Sequence, residues 1–280
     1  MHEGLKMEDK TSASDEQKDE NTSFIVELFF DTKVELKSVL LLDSLRKYCG
    51  SAEIEGDPEI ENPRFLVSSP ENINVNIGIG LSPAGFTREN VLDYASSFRQ
   101  SWSWRTAKDL VQTCSHIVRV SDEYNEKVNY KDRVLAMRNV VRAFVECTAC
   151  KAVHFRMTQQ FVKPDSYLSS FNEPAPDRLF GFINVRFFKI HDSDDMLMDT
   201  IGLNSMGLED LQCSFKKYNP KDISNVLYNT AYYLFDNGNV IIDDDTVQGV
   251  KRSDKWACRR TRSLVVPKRT VIDITPGFFK

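Results

Sequence analysis

Long apolar runs are missing from this 280-residue chain. None approaches the ~20 residues that span a bilayer, so no membrane-spanning helix and no membrane partner is expected. Histidine is scarce at four residues, which narrows acid–base chemistry near neutral pH. No Gly-x-Gly-x-x-Gly, Walker loop or Gly-x-Ser-x-Gly elbow occurs, so the common phosphate cradles and the strained nucleophile turn are not on offer. Gly78-Ile-Gly80 lacks a third glycine and sits in a strand pattern, which points to close packing. An excess of positive charge is also lacking: 36 Lys+Arg face 41 Asp+Glu. Residues 1–21 hold seven acids and three lysines, so of the net −5 only about −1 belongs to the rest of the chain. Such a body offers no broad field to a phosphate backbone, and nucleic acid is not an expected partner. The local exception is Lys255, Arg259, Arg260, Arg262, Lys268 and Arg269. That cluster reads as a solvated strand face, with an anionic partner as the alternative.

What is present is the composition of a packed protein, with 41% hydrophobic residues and 18 Phe. Six cysteines are scattered widely, and Met1–Glu20 is polar and acidic, without the apolar core of a secretory signal. Free thiols in a reducing, cytoplasmic compartment are therefore expected.

The pattern divides into a disordered acidic tail (1–22), an N-terminal α+β half (23–156), a Pro-rich connecting loop (157–180) and a C-terminal α+β half (181–280). Phe24–Phe30 is too β-rich for anything but a buried strand. Thr32-Lys-Val-Glu35 is a capping box ahead of a helix carrying Leu36, Val39, Leu40 and Leu45. Val134, Met137, Val141, Phe144 and Val145 have helical spacing, and Lys151–Phe155 returns to strand. Asn219-Pro220-Lys221-Asp222 is a helix start with an Asn cap and Pro at the first position. Strand neighbours are hairpin-like as often as crossovers. The fold class expected is α+β: mainly antiparallel sheets with helices on one face, with two βαββαβ-like halves as one form of it.

Cys147-Thr-Ala-Cys150 followed by His154 is the most tempting constellation, since three soft ligands or a redox dithiol have this spacing. It lacks a fourth ligand, and it ends a helix, where the dipole disfavours thiolate. Two small thiols packing a corner is the plainer reading. Asp192–Asp195 and Asp243–Asp245 do not follow an EF-hand register and read as solvated turns. In Gln100-Ser-Trp-Ser-Trp104 one Trp can enter the core while Trp102 offers a surface for stacking or a partner. Met198–Gln212 repeats Gly-Leu at a five-residue interval between carboxylates, as a tight reversal or a rigid pocket rim would.

Met198-Asp-Thr-x-Gly-Leu-x-x-x-Gly-Leu-x-Asp-Leu-Gln212, Leu227-Tyr-Asn-x-Ala-Tyr-Tyr233, Asp236-Asn-Gly238 and Ser263-Leu-x-x-Pro-x-Arg-x-Val-x-Asp-x-x-Pro-Gly277 together resemble an uncharacterised, mostly bacterial family, the domain of unknown function 4261. Gln100-Ser-Trp-x-Trp104 and Cys150-Lys-Ala-x-His154 with Gln160 fit the same pattern. The resemblance implies an intact domain and brings no reaction, cofactor or catalytic residue with it. The expected function is a soluble, intracellular, non-enzymatic protein-interaction domain of the inhibitor or immunity-like kind, with a protein partner, no cofactor and no metal. The alternative is an enzyme or small-ligand binder with a pocket between the halves, lined by His154, Gln160, Asp199, Thr200 and Trp256. Trp102 is added as a partner or ligand candidate.

Overall fold

The computed structural model describes residues 23–34, 38–56, 62–172, 174, 176–190 and 194–277. The acidic tail, Glu35 of the capping box and the first two residues of the 192–195 acidic cluster lie outside the described residues.

The chain builds two sheets that share one core. The first is formed by β1 (Ile25–Phe30), β2 (Ala52–Glu55), β3 (Arg64–Ser69), β4 (Asn72–Gly85), β5 (His116–Asp122), β6 (Ala152–Phe155) and β7 (Gln160–Val162). Its strand order is β2-β3-β4-β5-β1-β6-β7, antiparallel throughout. The second is formed by β8 (Asn184–Lys189), β9 (Met196–Ile201), β10 (Asp210–Phe215), β11 (Thr246–Gln248), β12 (Lys255–Arg262) and β13 (Thr270–Thr275). Its order is β11-β12-β13-β10-β9-β8, and β10 with β13 is its parallel pair. The class is α+β, with antiparallel pairing dominant.

β1 is an interior strand of the first sheet and is buried on both faces. Phe24, Val26, Leu28 and Phe30 alternate toward the main core, which α1 (Ser38–Tyr48) and α4 (Tyr130–Cys147) cover. Phe29 points the other way, into a smaller cluster with Phe86, Trp104, Val111 and Phe161. That cluster is roofed by short helical segments: a 3₁₀ turn over Glu89–Tyr94, α2 (Ala95–Gln100), a turn over Trp102–Trp104, and α3 (Ala107–Val111). α4 begins at the Asn129 cap, whose side chain accepts the Lys131 amide, and its apolar stripe supplies Val134, Met137, Val141 and Phe144. α6 (Pro220–Asn237) starts at Asn219 as expected, with the side-chain oxygen accepting from the Lys221 N–H. It lays Ile223, Val226, Leu227, Ala231 and Leu234 on the second sheet.

The two halves interlock. Phe24 and Phe155 of the first each meet Phe182 edge-on at 5.4 Å, and Tyr130 meets Phe235 at 5.6 Å. The stretch 157–180, expected as a loop, holds β7 and α5 (Pro164–Ser169). Pro164 is the first residue of that short helix, where its missing N–H costs nothing. The C-terminal half runs β-β-β-α-β-β-β, which corrects the βαββαβ form. The physical reason is that Asp210–Phe215 joins the hairpin before it rather than crossing over.

Where the halves meet, Gly202 has a φ of +126°, and a Cβ there would sit 2.1 Å from the Phe182 carbonyl oxygen. Backbone cannot step aside cheaply. We expect Gly202→Ala to cost at least ~2 kcal/mol, while Gly80→Ala, with only Ser121 Oγ at 3.5 Å, stays within ~1 kcal/mol. Urea midpoints of the two variants check this.

Candidate functional site

Polar residues are buried in two places, one on each sheet. On the second sheet, Asp199 takes a two-pronged bond from Arg186: Nε to Oδ1 at 2.9 Å and a terminal nitrogen to Oδ2 at 2.5 Å. Arg269 donates to the same Oδ2 at 3.0 Å and to Asp210 Oδ2 at 2.8 Å. The other oxygen of Asp210 accepts the Thr200 hydroxyl (3.0 Å) and the Leu203 amide (3.1 Å). Two guanidinium groups and two carboxylates thus balance in charge, and all four residues are buried. Strand register extends this polar row, since Arg186 faces Asp199, Asp199 faces Gln212, and Gln212 faces Asp273. The segment 263–269 folds across it: Leu264 N–H donates to Gln212 Oε1, and Arg186 reaches the Val266 carbonyl.

Gly202 and Gly207 make the bends that bring Leu203 back over Asp210, both with positive φ. Arg269, expected on a solvated face, is buried here. Two more members of the basic cluster are paired, Arg260 with Glu209 at 2.6 Å and Arg259 with Asp244 at 3.3 Å.

On the first sheet the arrangement is different, because it borders an open cavity. Glu27, in the middle of β1, faces Arg119 on β5 and His154 on β6 in register. Adjacent strands therefore set the three side chains in one row across the sheet, on the face roofed by Tyr94 and α2. Glu27 Oε1 accepts from Arg119 Nε at 2.9 Å; Oε2 accepts from the Tyr94 hydroxyl at 2.9 Å and from His154 Nδ1 at 3.1 Å. His154 Nε2 lies 2.9 Å from Ser97 Oγ. Its ring is clamped between Phe161, stacked at 4.4 Å, and Tyr94, edge-on at 5.0 Å.

Burial disfavours the charge on Glu27, but hydrogen bonds from His154, Arg119 and Tyr94 outweigh it and hold the carboxyl at about 2. Burial pushes His154 down, against the pull of Glu27. The imidazole is thus neutral at pH 7. Facing an acceptor-only carboxylate, Nδ1 carries the proton, and Nε2 accepts the Ser97 hydroxyl proton. The order hydroxyl, imidazole, carboxylate is that of a nucleophile, a general base and the group that orients the base.

The cavity above measures about 350 Å³ and is lined by Glu27, Asp93, Tyr94, Ser96, Ser97, Arg119, His154, Arg156 and Gln159. Arg119 and Arg156 leave 40% and 51% of their side chains exposed. Gln159 is held at φ +51° and accepts a hydrogen bond from Ser96, a backbone cost borne at the cavity.

Of the residues singled out by sequence, His154 alone lines this cavity. Asp199 and Thr200 come together, but inside the charge-balanced network. Gln160 is half-buried, with its Oε1 unpartnered among the described residues. Trp256 is core, edge-on to Tyr218 at 5.3 Å, whereas Trp102 is 41% exposed beside Phe187 and Trp104 is buried. The set does not converge between the halves, because the arginines of the second sheet satisfy its carboxylates there. Cys147 donates weakly to the Phe144 carbonyl, and burial pushes the Cys150 thiol up to about 12, far from a reactive thiolate. Among the described residues no group of three His, Cys, Asp or Glu comes together that could hold a metal ion. Glu27, Tyr94, Ser97, Arg119 and Arg156 were not singled out. The usable signal was a lone Glu and a lone His, each centred in an otherwise apolar strand.

Residues 199–275 match the family model described as a domain of unknown function (DUF4261). The resemblance is shown over that stretch, which begins at Asp199 and takes in Asp210, Gln212, Arg269 and Asp273. No curated protein and no solved structure matches the chain.

Two outcomes follow for stability. Asp199→Asn leaves two buried guanidinium groups short of charge and is expected to cost about 3–5 kcal/mol, against under ~1 kcal/mol for Asp236→Asn in its exposed pair with Arg178. Chemical denaturation separates the two. Both Glu27 and His154 have lowered values in the fold, so each contributes stability above its unfolded pKa that is lost on acidification. Stability should fall first below about pH 6.5, as the unfolded imidazole alone takes a proton, and again between about 4.5 and 2 for Glu27. Urea titrations at stepped pH read this, and His154→Gln should remove the first limb.

Proposed function

We propose that the cavity over Glu27, His154 and Ser97 is a binding site for a small polar molecule bearing a carboxylate. The supporting observation is the pair of half-exposed guanidinium groups, Arg119 and Arg156, at a cavity floored by hydrogen-bonded groups. Glu27 engages Arg119 through Nε only, and lies 3.7 Å from Arg156. Their outer N–H groups suit a planar carboxylate. Asp93 in the cavity lining favours a ligand with one anionic end over a polyanion. The volume, near 350 Å³, is at the small end of ligand sites.

A protein-interaction role is a second reading, favoured by the groove between α6 and β11. Tyr233 and Val240 line it, and Ile242 and Val250 add exposed apolar surface beside it. All six cysteines are free, which supports a reducing, cytoplasmic setting. Pairing within the basic cluster argues against a nucleic-acid partner. Among the described residues no helix is long and apolar enough to cross a membrane.

Isothermal titration with succinate tests the site. Saturable binding, weakened at least tenfold by Arg156→Gln, is expected. Binding unchanged by Arg156→Gln, or none at millimolar succinate, overturns the reading.

A further inference from the structure

We infer that Ser97 is the nucleophile of an acyl-transfer site, with His154 as its general base and Glu27 as the positioning residue, acting on small esters whose acyl part carries a carboxylate. The inference rests on the cavity being a ligand site. It goes beyond binding because the three side chains form one directed chain: Ser97 Oγ to His154 Nε2 at 2.9 Å, then His154 Nδ1 to Glu27 Oε2 at 3.1 Å. These lengths are within hydrogen-bond reach of a base and its nucleophile before substrate arrives.

Three features set this chain apart from an ordinary satisfied histidine. The imidazole's outer partner is a hydroxyl that lines a cavity rather than a backbone carbonyl. The carboxylate behind it is fully engaged by Arg119 and Tyr94 as well, so the ring's orientation and tautomer are fixed. Phe161 and Tyr94 hold the ring from two sides. By contrast, the neighbouring Ser96 hydroxyl is turned to Gln159.

In the step itself, Ser97 Oγ attacks the ester carbonyl carbon while its proton passes to His154 Nε2. The tetrahedral adduct collapses, the carbonyl re-forms, and the C–O bond to the alcohol breaks, with the imidazolium proton leaving on that alcohol. Water then gives its proton to Nε2 and attacks the acyl-serine. Collapse releases the dicarboxylic acid and restores the serine hydroxyl. No oxidant, reductant or further co-reactant is consumed. Arg156, at the same cavity, is placed to take the substrate's distal carboxylate.

The test uses the full chain with two probes. An alkyl fluorophosphonate should form a Ser97 Oγ–phosphorus bond with loss of fluoride, read as a mass gain on the peptide containing Ser97. The mono-p-nitrophenyl ester of succinic acid should release p-nitrophenolate with turnover. Ser97→Ala, a small change at a buried site, should abolish labelling and lower turnover at least ~100-fold while the circular dichroism spectrum persists. Glu27→Gln keeps an acceptor for Nδ1 but removes the charge. With Arg119 and Arg156 facing the ring region and Tyr94 above it, the acid limb of the kcat/KM profile should then move to lower pH, a shift that mere loosening of the fold would not give. Succinate binding without labelling or turnover overturns this inference and leaves the ligand site standing. Labelling on Ser96, or turnover retained in Ser97→Ala, also overturns it. Labelling and turnover at Ser97 without succinate binding support Ser97 as the nucleophile but overturn the carboxylate-site reading and, with it, the carboxylate-bearing acyl part.

Discussion

A carboxylate buried in the middle of an interior strand, β1, governs the first sheet. β1 has neighbours on both edges and packing on both faces, so Glu27 can be charged only if the fold brings donors to it. It does so from three directions: Arg119 from β5, His154 from β6 and Tyr94 from the roof. Each donor binds its element to β1, and their combined bonds outweigh the burial of the charge. A one-residue slip of β5 or β6 would turn its donor to the opposite face. The register that packs Val26 and Leu28 therefore also aligns the polar row. Packing and polar satisfaction select the same pairing.

The second sheet solves a comparable problem to another end. There Asp199, Asp210, Arg186 and Arg269 close on one another, and the 263–269 segment seals them from solvent. The motif residues within the matched family region are spent on this closure and on the bends at Gly202 and Gly207. A closed network of two acids and two arginines fixes geometry, and it offers no face to a ligand. The residues of the matched stretch and the cavity-bordering polar row thus fall on different sheets of one molecule.

Much of the architecture was legible because it rests on local chemistry. The Asn219 cap, the β-rich Phe24–Phe30 run and the helical spacing of Val134 through Val145 are signals a few residues long. The site is of another kind. Glu27 and His154 are 127 residues apart, and only strand pairing makes them neighbours. Ser97 sits in an unremarkable Ala-Ser-Ser-Phe stretch, and nothing local distinguishes it from Ser96. Basic residues on a strand usually face solvent, which is why Arg269 looks solvated in the sequence. Its burial depends on Asp199 and Asp210, which a turn had to bring beneath it. The strand and helix within 157–180 were obscured by prolines, one of which simply opens α5.

A buried ionic cluster is not by itself evidence of function, since well-packed apolar residues often stabilise a core as well or better. The difference between the two clusters lies in what the last group faces. In the second sheet the chains of hydrogen bonds from Asp210 and Arg269 end on protein: Asp210 on Thr200 and Leu203, Arg269 on the Pro267 carbonyl. In the first, the chain that starts at Glu27 ends on a serine hydroxyl bordering a cavity, with two half-exposed guanidinium groups beside it. For stability alone the relay could stop at His154 against a backbone carbonyl, and the cavity could be filled. An ordered, neutral imidazole turned toward a buried hydroxyl at the lining of a cavity is costly to build, and the groups it orients are those that proton transfer requires.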